Sequence, residues 1–126
     1  MTPPEARDGA SFGRRDRLLE PGEFETVRKR GAQARGAFLI VYESPGERGR
    51  TRLGMAVPRG VGNAVTRNRV KRFIREAFRT GRQSLCPCCD MLVVARPAAA
   101  GAKAADIAGE LRTLDARLSR GGARNG

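Results

Sequence analysis

The chain has 126 residues, with 25 Lys or Arg against 13 Asp or Glu, a net charge of +12 and a pI near 11.4. That length fits one domain with a modest core, and that charge calls for a polyanionic partner. Histidine is absent, which removes the commonest general base and the commonest metal ligand, and no apolar run approaches the ~20 residues of a membrane span. Met1 to Gly13 is polar, without the apolar stretch of a secretory signal, so the expected setting is the cytoplasm, with no membrane and no obligate protein partner. Apart from Lys29, Lys71 and Lys103 every basic residue is arginine, so each arginine need not have been selected for paired hydrogen bonding.

Residues 1–13 read as a disordered tail and residues 121–126 as a frayed end, leaving 14–120 as the domain. Arg14, Arg15 and Arg17 open it with a basic cluster. Pro21 to Arg30 has Pro at its start, Gly31 after its end and a basic last turn, which predicts a short helix with Phe24 and Val27 inward. A short strand is expected around Gln33 to Ala37 and a strong one at Phe38 to Tyr42. Ser44 to Gly49 reads as a turn or hairpin loop, and Thr51 to Val57 as another strand with Leu53, Met55 and Val57 alternating. Pro58 to Asn63 is a loop. Arg79 to Cys89 is irregular, Met91 to Arg96 is a strand, Pro97 to Gly101 breaks it, and Lys103 to Arg120 is a helix with Ile107, Leu111, Leu114 and Leu118 on one stripe. The fold class is α+β: a single-domain α/β sandwich of order αβββαβα, with a small mixed sheet and helices packed on it. The strand that returns after a helix is expected to lie parallel to its predecessor.

The most informative segment is Thr66 to Arg79. Val70, Phe73, Ile74, Ala77 and Phe78 recur at the spacing of one helix face. Asn68, Arg72, Arg75 and Arg79 fall on the opposite face, and Arg67, Arg69 and Lys71 add to the charge. Solvated helix faces normally mix signs. Here Glu76 is the sole acid, with Arg72 one turn away to pair with it. Arginines held in a row match phosphate oxygens through paired hydrogen bonds, so nucleic-acid binding is the favoured reading.

Catalytic signatures are missing. Gly60-Val61-Gly62 is half of a dinucleotide fingerprint, with Val65 where the third glycine belongs. No serine or cysteine nucleophile has a histidine to activate it, and the acids are scattered, with Glu23 and Glu25 explained by the start of a helix. Cys86, Cys88 and Cys89 sit too close together to surround one tetrahedral ion even with Asp90. They read as reduced thiols in a turn ahead of a strand, with an intermolecular metal site as the alternative. Phe24 and Tyr42 are core residues on the simplest reading, and stacking platforms for single-stranded bases on the other.

Leu53 to Arg79, LGMAVPRGVGNAVTRNRVKRFIREAFR, closely resembles the signature region of the bacterial ribonuclease P protein subunit, with Arg67-Asn68-Arg69 as that family's arginine-asparagine-arginine motif. The flanks fit from Arg14 to Arg120. The resemblance implies a protein that binds a large catalytic RNA and helps it remove the 5′ leader from precursor tRNA, the RNA cutting with Mg2+ and the protein holding none. It also implies a left-handed crossover carrying the basic helix, a rare hand. Arg67, Asn68, Arg69, Lys71, Arg72, Arg75 and Arg79 would face the catalytic RNA, with Arg14, Arg15 and Arg17 as additional basic contacts. Phe24, Arg28, Tyr42 and Arg59 would line a separate cleft for the leader. Two positions depart from the family: Arg28 stands where an aromatic is common, and Arg59-Gly60 where two lysines are. A small basic ribosomal or assembly protein is the alternative. A helix-turn-helix DNA binder comes third, because strand and loop precede the basic helix.

Overall fold

Gly31 shows how the first helix is made to stop. Its N–H donates to Val27 O at 2.7 Å, and a Cβ there would stand 2.5 Å from Val27 O and 2.6 Å from Glu43 O. Only glycine fits where α1 (Pro21–Arg30) turns into β1 (Ala32–Arg35). The computed structural model describes residues 21–45, 52–81 and 89–120. The tails, the Arg14–Arg17 cluster, the 46–51 connection, Cys86 and Cys88 lie outside the described residues. β2 (Leu39–Pro45), β3 (Arg52–Ala56), α2 (Ala64–Gly81), β4 (Cys89–Ala95) and α3 (Ala104–Arg120) complete the chain, in the expected αβββαβα order.

The four strands form one mixed sheet in the order β1-β2-β4-β3. β2 pairs antiparallel with β1 and with β4, while β3 lies parallel to β4, as a strand returning after a helix should. One expectation needs correcting. Within the segment Ser44 to Gly49, read as a turn or hairpin loop, β2 continues through Ser44 to Pro45, while 46–49 lie outside the described residues; β2 does not pair with β3, because β4 lies between them. The cause is burial. Met91, Leu92 and Val93 are all fully buried, and a strand apolar on both faces belongs in the middle of a sheet.

Alternation then assigns the two faces. Leu39, Val41, Leu53, Met91, Val93 and Ala95 join Val70, Ile74, Ala77 and Phe78 of α2 and Ile107, Leu111, Leu114 and Leu118 of α3 in the main core. The helical stripes expected from spacing are buried as expected, with Phe73 partly so. The other face carries α1 alone among the described helices: Val27 packs on Leu92, with Phe24, Tyr42 and Val94 half-buried around them.

One acid fastens the sheet to α3. Glu110 accepts the N–H groups of Ala37 at 3.1 Å, Phe38 at 2.8 Å and Leu39 at 2.7 Å, closing the β1–β2 turn against the helix. A side chain at Gly36 would run into this carboxylate. Glu110→Ala leaves three turn N–H groups without that acceptor and is expected to cost about 2 kcal/mol. A thermal melt checks this, and an unchanged midpoint would show that water serves the turn equally well.

Candidate nucleic-acid interface

The basic helix begins abruptly. Gly62 has φ +155° and ψ −164°, a region kept almost wholly for glycine. Asn63 then caps α2, its Oδ1 accepting the Thr66 N–H at 2.9 Å. The cap starts the helix two residues earlier than Thr66, and Gly81 ends it later than Arg79. The apolar face is pressed into the core, so the opposite face is fixed in space. Asn68, Arg72 and Arg75 are exposed on it, with Lys71 and Arg79 half-exposed beside them.

The ion pair differs from expectation. Glu76 binds Arg79, with Nη2 to Oε1 at 2.6 Å, and not Arg72. The i,i+3 partner is the nearer one here, and the Arg72 guanidinium lies over the Phe73 ring at 5.6 Å. Among the described residues Lys71, Arg72 and Arg75 therefore have no carboxylate partner. The arginine-asparagine-arginine motif is divided. Arg67 Nε donates to Val57 O at 3.0 Å, and Arg69 Nη2 to Ala100 O at 2.9 Å. Both arginines tie the start of α2 to neighbouring chain, while Asn68 between them faces outward.

On the far face of the sheet, Phe24, Arg28 and Tyr42 lie close together. The Arg28 guanidinium sits 5.6 Å above the Tyr42 ring, within cation–π range. Arg59 is exposed in a 3-10 turn, Arg59–Val61, just past β3. Among the described residues no hydrogen bond, ion pair or ring contact joins it to that trio. Register places Tyr42 level with Leu92 and Ile40 level with Val94, and Val94 in turn level with Ala56. Ile40, Val94 and Ala56 are half-exposed, so an apolar strip of sheet continues beyond α1.

Two residues that sequence reasoning passed over belong to this face. Arg35, exposed, pairs with Ile40 at the edge of the strip. Arg52 lies beside Asp90 in the parallel register and binds it twice, through Nε at 3.0 Å and Nη2 at 3.0 Å. It also reaches Glu23 on α1 through Nη1 at 3.3 Å and Nη2 at 3.1 Å. The Asp90 hydrogen bond, ahead of the weaker pull of Glu23, raises the Arg52 pKa further above its already high ordinary value. Glu23 is thus more than a helix-start acid. Among the described residues no group of three His, Cys, Asp or Glu side chains could hold a metal ion, and no helix is long and apolar enough to cross a membrane.

A cationic helix face on one side of a sheet and half-buried aromatic side chains beside an arginine on the other suit a small α+β RNA-binding protein. The comparisons narrow this. The ribonuclease P family model matches residues 12–119. The ribonuclease P protein component of Desulfosudis oleivorans is 36% identical over 110 residues, 87% of this chain and 91% of that protein. The ribonuclease P protein structure from Staphylococcus aureus superposes with TM-score 0.74 at 28% identity, covering 83% of this chain and 95% of that one. The one from Thermotoga maritima shares the fold, with TM-score 0.74, 24% identity and 80% and 96% coverage. The chain belongs to the ribonuclease P protein family. Its function is that of the protein subunit of ribonuclease P, the endoribonuclease of tRNA 5′ maturation, in partnership with the ribonuclease P RNA. A ribosomal or assembly role is not favoured.

Proposed function

We propose that the two faces of the sheet serve two RNAs. The α2 face, with Asn68, Lys71, Arg72, Arg75 and Arg79 outward and Arg67 and Arg69 bracing its start, binds the catalytic RNA through phosphates. The α1 face takes the single-stranded leader of precursor tRNA, with Phe24 and Tyr42 as stacking surfaces, Arg28 and Arg59 as phosphate contacts and Arg35 at the far edge of the strip. Arg14, Arg15 and Arg17, at the entry to the 14–120 domain, add charge to the assembled particle. The observation that carries this reading is that, among the described residues, Lys71, Arg72 and Arg75 have no carboxylate partner on a helix face that packing forbids to turn away.

Cleavage in this reading belongs to the RNA, with Mg2+ held by RNA phosphates. The described residues offer no acid cluster to hold it, and Glu23 and Asp90 are already occupied by Arg52. The protein contributes binding and orientation: neutralising phosphate charge lowers the concentration of cations the folded RNA needs, and a docked leader holds the scissile end in place. The setting is the cytoplasm, where precursor tRNA is processed.

The protein without RNA is expected to leave precursor tRNA intact. Added to a bacterial ribonuclease P RNA at low magnesium, it is expected to restore cleavage at the mature 5′ end. Specific 5′ cleavage by RNA-free protein, or no effect of the protein on the RNA, would overturn the reading.

A further inference from the structure

Among the described residues, α1 rests on the sheet through a thin seam. Val27 and Leu92 are its fully buried apolar pair, with Phe24, Tyr42 and Val94 only half-covered. A ten-residue helix held by so little apolar area is not fixed by packing alone. Arg52 supplies what the seam lacks. Its fork spans Asp90 on β4 and Glu23 on the first turn of α1, with four hydrogen bonds between 3.0 and 3.3 Å. The site is not a fully solvated one: the side chains of Arg52 and Asp90 are 21% and 16% exposed. Paired contacts of this kind fix direction as well as distance.

The link acts at a sensitive place. Phe24 follows Glu23 directly, and Arg28, one turn further along, lies over Tyr42. A shift of the start of α1 therefore moves one wall of the cleft relative to the Tyr42 floor. α2 and its cations lie on the other face of the sheet and do not feel that shift directly.

We infer that Arg52, through Asp90 and Glu23, is a positioning residue that sets the width of the α1–sheet cleft and hence the preference of the holoenzyme for RNA with a single-stranded 5′ extension. This rests on the assignment of the cleft to the leader. Arg52 touches no RNA in this account; it holds the helix that does.

Tyr42 provides a direct reporter, because the chain has one tyrosine and no tryptophan. Arg52→Ala, Arg52→Lys and Glu23→Gln are compared with wild type in two assays. The first is iodide quenching of Tyr42 fluorescence in the free protein. The second is the ratio of precursor to mature tRNA affinity in the reconstituted holoenzyme. Arg52→Ala is expected to raise quenching and to lower the ratio about tenfold, the scale of one lost base stack. Affinity for the catalytic RNA should stay within about twofold, as for a distant, independent site. Lysine, which keeps the charge but not the fork, should restore part of the ratio, and Glu23→Gln should move both readouts the same way by less. In a Tyr42→Ala background, Arg52→Ala should add little further loss of ratio.

A folded Arg52→Ala protein with wild-type quenching and ratio overturns the inference. So does an equal loss of catalytic-RNA affinity, which would make Arg52 a general stabiliser. Should Arg52→Ala fail to fold, an unchanged ratio in Glu23→Gln overturns it instead. If Tyr42→Ala itself leaves the ratio unchanged, the leader assignment is what has failed, and the inference falls with it.

Discussion

Replacing Arg72 and Arg75 together with alanine is expected to weaken binding to the catalytic RNA by roughly 10- to 100-fold at moderate salt, the scale of two lost charge-assisted contacts. Both side chains are exposed on α2 and neither contributes to the buried core, so the fold should survive. The more diagnostic quantity is the salt slope. Each phosphate contact releases condensed counterions, and the slope of log affinity against log salt should flatten by about 1 per arginine removed. A double variant with wild-type affinity and slope would reduce this helix face to solvated surface. Arg69→Ala tests something else. Its tie to Ala100 O anchors α2 to the segment after β4, so a loss of RNA affinity there is expected to come with a lower melting temperature, which Arg75→Ala should not show.

The second large effect lies on the opposite face. Tyr42→Ala should weaken precursor tRNA binding to the holoenzyme by about 1–3 kcal/mol, the range for a stacked base. It should change mature tRNA binding and assembly with the catalytic RNA little. Tyr42 also packs beside Leu92 and Val27, so a thermal melt of the variant comes first. A normally folded Tyr42→Ala protein that affects precursor and mature tRNA equally would remove the leader from this cleft.

Much of this arrangement could be read in the sequence because it depends on short-range pattern. The α2 stripe and the α3 stripe of Ile107, Leu111, Leu114 and Leu118 follow from helical period, and all but Phe73 are buried. Pro21 and Gly31 bracket α1 as their backbone preferences require. What could not be read is pairing between distant parts of the chain. Arg52 meets Glu23 and Asp90 across separations of 29 and 38 residues, and in a strand pattern it is merely the polar residue before Leu53. Glu110 reads as an ordinary helix-surface acid, although it closes a turn more than 70 residues away. The place of β4 between β2 and β3 likewise depends on the burial of Met91, Leu92 and Val93 on both sides, which chain order alone does not show.

The central claim is that two RNAs meet this protein on opposite faces of one sheet. Site-directed photocrosslinking in the reconstituted holoenzyme with bound precursor tRNA tests it most directly, using a photoreactive phenylalanine at position 28 in one protein and at position 75 in another. The account predicts adducts from position 28 on the 5′ leader and from position 75 on the catalytic RNA. Adducts from both positions on the same RNA, or the reverse assignment, would contradict it.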